Sequence, residues 1–172
     1  MTTPGTDEAY DRINELLDGA AVVVTAADHE ETAGCLVGFH SQCSIDPRRH
    51  AVWLSKANRT YRVALRSTYL AVHLLRTGDL RLAEWFAGTT GDEVDTFADL
   101  DVDRGAGGVP LVRDLPVRFV GRRVALLDTE GDHACFVLEV ESAEVDDEAG
   151  PLRLSDLGEV EPGHASEEGA EE

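Results

Sequence analysis

A chain of 172 residues, 42% of them apolar, can bury the core of one ordinary domain and is too apolar to be wholly disordered. Its 34 acidic against 15 basic residues give a net charge of −19, which argues against nonspecific binding to nucleic acid or anionic membrane. No apolar run approaches the length of a membrane span and the N-terminus does not read as a secretion signal, so a cytoplasmic protein with no membrane partner is expected.

Thr6 or Asp7 can cap a first helix with Tyr10, Ile13, Leu16 and Leu17 on one face and Gly19 as its stop, which sets residues 1–18 apart as an N-terminal helix. Strands are expected at 20–26, 33–39 and 50–56, the second running into a polar loop. Asn58 reads as the cap of a short helix through Tyr61, Ala64 and Leu65, followed by a strand at 69–75. Gly78 and Asp79 open a helix whose Leu82, Trp85 and Phe86 have core spacing, a reading preferred over an aromatic lid. Residues 88–110 read as an irregular excursion with a helical turn near Val94 to Phe97. Long strands near 116–127 and 134–145 and a short one at 151–154 complete the domain, taken as 19–155. The remainder, 156–172, is acidic and expected to be a disordered tail.

Strands separated mostly by tight turns, with helices inserted rather than alternating, predict a mainly β fold: an antiparallel, Greek-key barrel with a few inserted helices. No Gly-x-Gly-x-x-Gly follows a strand, so a doubly wound dinucleotide fold has no support. Three cysteines without CxxC spacing argue against disulfides; Cys35 and Cys135 read as buried hydrophobes, whereas Cys43 lies in the polar loop. The histidines show no ligand spacing, and no metal site is expected. His73, on an apolar strand, reads as a satisfied core or interface histidine.

The loop is "GFHSQCSIDP", Gly38 to Pro47. It offers two hydroxyls and free backbone N–H groups, the parts from which phosphate sites are made, and Gly38 would let a planar ligand approach the backbone. From Pro47 to Gly78 there is no acid, but Arg48, Arg49, Lys56, Arg59, Arg62, Arg66 and Arg76 are present. That island is a candidate anion receptor, with "KANRT" opening a helix whose N-terminus would face the anion. The alternatives are that the arginines pair with acids elsewhere and that Ser41 and Ser44 satisfy their own turn.

The segments "GFHSQCSIDP", "LSKANRTYRVAL", "LAVHLL", "LAEWFAG" and "GDHACFVLEV" resemble, in order and spacing, the flavin reductase-like, FMN-binding split-barrel family, over roughly residues 18–145. The resemblance implies a split barrel, usually a homodimer, that holds FMN or FAD near the subunit interface. It also implies hydride transfer from NADH or NADPH to the flavin, often to supply a partner monooxygenase. Carried over, Gly38, Phe39, Ser41, Gln42, Cys43 and Ser44 would line the ring, ribityl chain and phosphate. Lys56, Asn58 and Thr60 match the segment that closes on the phosphate, and His133 matches a histidine near the reactive face of the ring. Its alternative role is a turn histidine bonded to its own backbone. The chain departs from the family pattern at Val37 and Gly38, at Arg48 in place of a second proline, and at His73 in place of an asparagine. Rival readings are a non-enzymatic FMN-binding electron carrier and a related FMN-dependent oxidase.

Overall fold

The run "AVVVTA" has no polar alternation because the strand it forms, β1 (Val22–Ala27), is buried on both faces. Val22, Val24 and Ala26 point into one apolar cluster, and Ala21 and Val23 into another on the opposite side of the sheet. The structure, a computed structural model, describes residues 5–89, 94–146 and 149–158. Helix α1 (Thr6–Leu17) precedes β1, with Gly5 rather than Thr6 or Asp7 at its N-cap. Its apolar residues Tyr10, Ile13, Leu16 and Leu17 are all exposed.

The remaining elements are β2 (Thr32–Val37), β3 (His40–Ser44), β4 (Arg49–Ser55), α2 (Arg59–Arg66), β5 (Tyr69–Leu74), α3 (Leu80–Gly88), β6 (Val102–Arg104), β7 (Pro110–Val112), β8 (Arg118–Asp128) and β9 (His133–Glu144). One antiparallel sheet has the order β2-β1-β5-β8-β9-β4-β3, and β6 and β7 form a separate ribbon. As expected, Asn58 caps α2, its side chain accepting from the Thr60 amide at 2.9 Å.

Three expectations change. The polar loop contains an edge strand, β3, which is illegible as a strand because Ser41, Gln42 and Cys43 face solvent and its backbone pairs only with β4 among the described residues. The excursion after α3 contains the β6–β7 ribbon, and its helical turn lies at 95–100; residues 90–93 fall outside the described chain. The expected last strand is two isolated bridges, Arg76 with Pro151 and Ala20 with Arg153, followed by a 3-10 turn at Leu154–Leu157. Of the expected tail, residues 159–172 lie outside the described chain.

The barrel is rolled but not closed. Among the described residues β2 pairs only with β1, and β3 only with β4, so both are edges of the ladder. Yet only Gly38 and Phe39 separate them in sequence. Six strand spacings in a flat sheet would put these edges about 29 Å apart. The three Cα steps from Val37 to His40 reach at most about 11 Å. The sheet must therefore curl until its edges meet, with Gly38–Phe39 crossing the seam. Inside the roll lie Val52, Leu54, Phe136 and Leu138, and Val63 and Ala64 of α2 plug one end. On the outer side Phe86 of α3 packs with Phe97 and Leu115.

His73 of β5 is completely buried on this outer side. Its Nδ1–H donates to the Val23 carbonyl (3.3 Å) and its Nε2 accepts from the Val112 amide (3.2 Å). Burial, with a smaller contribution from the Arg118 charge, lowers its pKa to about 4.

Candidate functional site

The outward face of β3, β4 and β9 follows from the two-residue period of strands. Val52 and Leu54 point inward, so Trp53 points out, beside Cys135 of β9; Ser55 lies opposite His133. The Trp53 amide donates to the Phe39 carbonyl (2.9 Å) across the seam. The Phe39 ring, 60% exposed, packs on the His133 imidazole at a centroid distance of 5.1 Å.

The β8–β9 turn supplies the polar neighbours. The Lys56 amide donates to the Asp132 carbonyl (2.9 Å), and its Nζ pairs with Asp128 at 2.8 Å. His133 Nδ1 lies 2.8 Å from the Asp132 carboxylate. Each carboxyl is held below its ordinary range, Asp128 by the hydrogen bond from Lys56 and Asp132 by the one from His133. Phe39, Lys56 and His133, far apart in sequence, thus form one cluster.

At the other end of the face, Ser41, Gln42 and Cys43 are exposed and Ser44 is half-buried. Part of the local alternative is realised: the Ser41 hydroxyl donates to the Gln42 carbonyl (3.1 Å) and the Gln42 amide to the Ser44 carbonyl (3.2 Å). Because Phe39 and Trp53 form a bonded pair, the alternation of an antiparallel ladder turns the backbone N–H groups of His40 and Gln42 to the free edge. A register shift between Gln42 and Ser44 leaves Cys43 unpaired.

The positive island is largely neutralised from elsewhere in the chain. Arg49 pairs with Glu139, Lys56 with Asp128, Arg59 with Glu31, Arg66 with Asp28 and Glu31, and Arg76 with Asp79 and Asp146. Arg48, exposed on the β3–β4 turn, has no side-chain partner among the described residues.

The surroundings of five expected site residues are specific. A Cβ on Gly38 would lie 3.0 Å from the Leu154 side chain, so this glycine makes room for the C-terminal 3-10 turn. Asn58 is buried and spends its side chain on capping α2. Thr60 is also buried, its hydroxyl turned to the Cys35 thiol without a well-formed hydrogen bond. Neither of these two side chains reaches the outer face. Ser44 and Lys56 stand at opposite ends of β4, about 23 Å of strand apart, so one phosphate cannot be held by both.

Sequence reasoning does not single out Trp53, Asp128 or Asp132. The period of "HAVWLSK" already puts Trp53 opposite the core, whereas the two aspartates required knowledge of which strands pair. Cys35 is buried, and burial pushes its thiol up to about 12, so it behaves as a hydrophobe.

The sequence model of the flavin reductase like domain family matches residues 16–159. Among solved structures, the NADH:FAD oxidoreductase of Streptomyces globisporus is 22% identical, with a TM-score of 0.72 over 89% of this chain and 88% of that one. An FMN-binding protein of Thermus thermophilus is 23% identical, with a TM-score of 0.67 over 73% and 69%. Nitrilotriacetate monooxygenase component B of Mycobacterium thermoresistibile is 20% identical, with a TM-score of 0.67 over 82% and 80%. At these identities, what the three share with this chain is the fold.

Proposed function

From the chain's membership of the flavin reductase like domain family, we propose that it is a cytoplasmic flavin reductase of split-barrel type that takes electrons from NADH or NADPH. The observation that carries this reading is the contact of the exposed Phe39 ring with His133, beside Trp53, on a face with a lysine at one end and free edge amides at the other. These residues fit FMN, or FAD: an apolar platform for a planar ring and backbone donors for a phosphate.

The flavin supplies the hydride acceptor and the nicotinamide the donor, so the protein's work is positioning and exclusion of water. Phe39 and Trp53 would cover one side of the ring and keep water from it. Lys56, whose Nζ is paired with Asp128, would lie beside the ring and supply an N–H donor to it on reduction. His133, oriented by Asp132, lines the approach of the nicotinamide and can exchange a proton. The edge amide of Gln42, with the Ser41 hydroxyl and Arg48, would receive the ribityl phosphate. A second copy covering exposed Trp53 and Leu127 completes a homodimer, and a partner monooxygenase takes the reduced flavin.

Anaerobic mixing of the flavin-loaded protein with NADH and with NADPH tests the reading. Bleaching of the flavin absorbance with one of them is expected. A protein that binds neither FMN nor FAD refutes the proposal, and binding without bleaching by either nicotinamide makes it a carrier instead.

A further inference from the structure

On the outer side of the roll an open groove of about 750 Å³ runs along α3. Arg81, Leu82 and Trp85 fall at three- and four-residue spacing, so one stripe of the helix makes the first wall. Asp99 and Leu100, from the turn at 95–100, and Asp114, just after β7, make the second. The walls are tied together. Trp85 Nε1–H donates to the Thr96 carbonyl (2.9 Å), the Leu100 amide donates to the Phe97 carbonyl (3.1 Å), and the Phe97 ring packs on Phe86 of α3 at 6.0 Å. Arg76 holds the Asp114 carbonyl at 3.4 Å. The groove is therefore preformed, with half-buried Leu82, Trp85 and Leu100 as an apolar floor.

In a chain of net charge −19 free carboxylates are common, so charge alone marks no site. Here the carboxylates rim an apolar floor. Glu84, Asp99 and Asp114 are exposed, and their side chains have no partner among the described residues. Asp79, at the end of the groove, is by contrast paired with Arg76. Arg81, the one cation among the lining residues, also lacks a partner and leaves two negative charges in excess. An apolar strip flanked by uncompensated carboxylates is complementary to a basic, amphipathic segment.

We propose that this groove docks a basic segment of another protein, an aliphatic side chain flanked by two arginines. The aliphatic chain covers Leu82 and Leu100, and the guanidinium groups meet Glu84 on one wall and Asp99 with Asp114 on the other. Arginine suits the groove better than lysine, because its planar, weakly hydrated head stacks on an indole such as that of Trp85. The chain's own segments outside the described residues, 1–4, 90–93, 147–148 and 159–172, hold no lysine or arginine and cannot supply the charge. A second copy brings a net charge of −19 and is repelled. The lining includes no residue of the Phe39–His133 face, so docking and flavin binding are separate.

The probe is the peptide acetyl-Gly-Arg-Leu-Arg-Gly-amide, titrated into the isotope-labelled full chain with amide and indole resonances followed by NMR. Saturable shifts are expected, centred on Leu82, Trp85, Asp99, Leu100 and Asp114. Replacing the peptide's leucine with glycine should weaken binding at least about fivefold through lost apolar burial. The double variant Glu84→Gln, Asp99→Asn should also lose at least about fivefold, the worth of two surface ion pairs. Asp7→Asn with Glu8→Gln, on α1, removes the same charge and should change affinity by less than about twofold. Equal losses in the two double variants would mean attraction to net charge alone. Shifts of the same resonances with protein concentration, without peptide, would make the occupant a second copy. Either result overturns the proposal, as does equal affinity for the glycine peptide, shifts spread over the acidic surface, or no saturable binding.

Discussion

Replacing His73 with asparagine should flatten the acid limb of the stability curve. In the folded protein this imidazole is completely buried, donates to Val23, accepts from Val112, and has a pKa lowered to about 4. A proton added at Nε2 would face the Val112 N–H, and the resulting cation would lie near Arg118. In the unfolded chain the same group titrates near about 6.5. Above that value both states are neutral and the site contributes no pH dependence. As pH falls from about 6.5 toward 4, only the unfolded state takes up the proton, so stability is lost with acid. The loss is about 2 kcal/mol at pH 5 and approaches about 3 kcal/mol near pH 4. Asparagine does not titrate and can still donate to Val23. Urea unfolding at pH 7.5, 6 and 5 should therefore show the wild type losing about 2 kcal/mol more than His73→Asn over that range. An offset that is constant with pH is separate from this slope. Parallel curves would refute the reasoning, because they would mean that His73 is as easily protonated in the folded state as in the unfolded one.

Arg48→Ala and Ser41→Ala should each weaken FMN binding by about 1–2 kcal/mol in a fluorescence titration; unchanged affinity in both would move the phosphate away from β3. Lys56→Ala should slow flavin reduction and leave Asp128 without its pair, whereas an unaltered reduction rate would remove the lysine from the ring's edge. His133→Ala should lower the anaerobic reduction rate more than it lowers flavin affinity, and the reverse order would make it a cofactor-holding residue. Gly121→Ala should cost about 1–3 kcal/mol by chemical denaturation, because the added Cβ would lie 2.7 Å from Leu138 Cβ and 3.2 Å from the Glu139 carbonyl. Gly131→Ala, with nothing within 4 Å, is the matched control and should be nearly neutral.

What the sequence reveals is what local chemistry determines. Asn58 announces the cap of α2, and the valines of β1 announce a strand buried on both faces. β3 stays hidden because an edge strand needs no buried side chains, and its pairing with β4 depends on the register of the whole hairpin. The contact of Gly38 is hidden for a similar reason: its missing side chain accommodates Leu154, more than a hundred residues away. The acid-free segment misleads, since the partners of Arg49, Lys56 and Arg59 come from β9, β8 and the turn after β1. Trp53 was available to a strict two-residue count. The meeting of Phe39 with His133 was not, because it depends on how the sheet rolls.

The pairing of β4 with β9 carries a consequence for how the protein acquires its site. The hairpins β3–β4 and β8–β9 can each zip locally, but Arg49 meets Glu139 and Ser55 meets His133 only after a long loop has closed. Contacts so distant in sequence form late and slowly. Phe39 and Lys56 arrive on one hairpin and His133 on the other, so on the proposed site neither half would grip a ring alone. Flavin retention would therefore register completion of the last zipper, and a pulse of flavin during refolding would time that event directly.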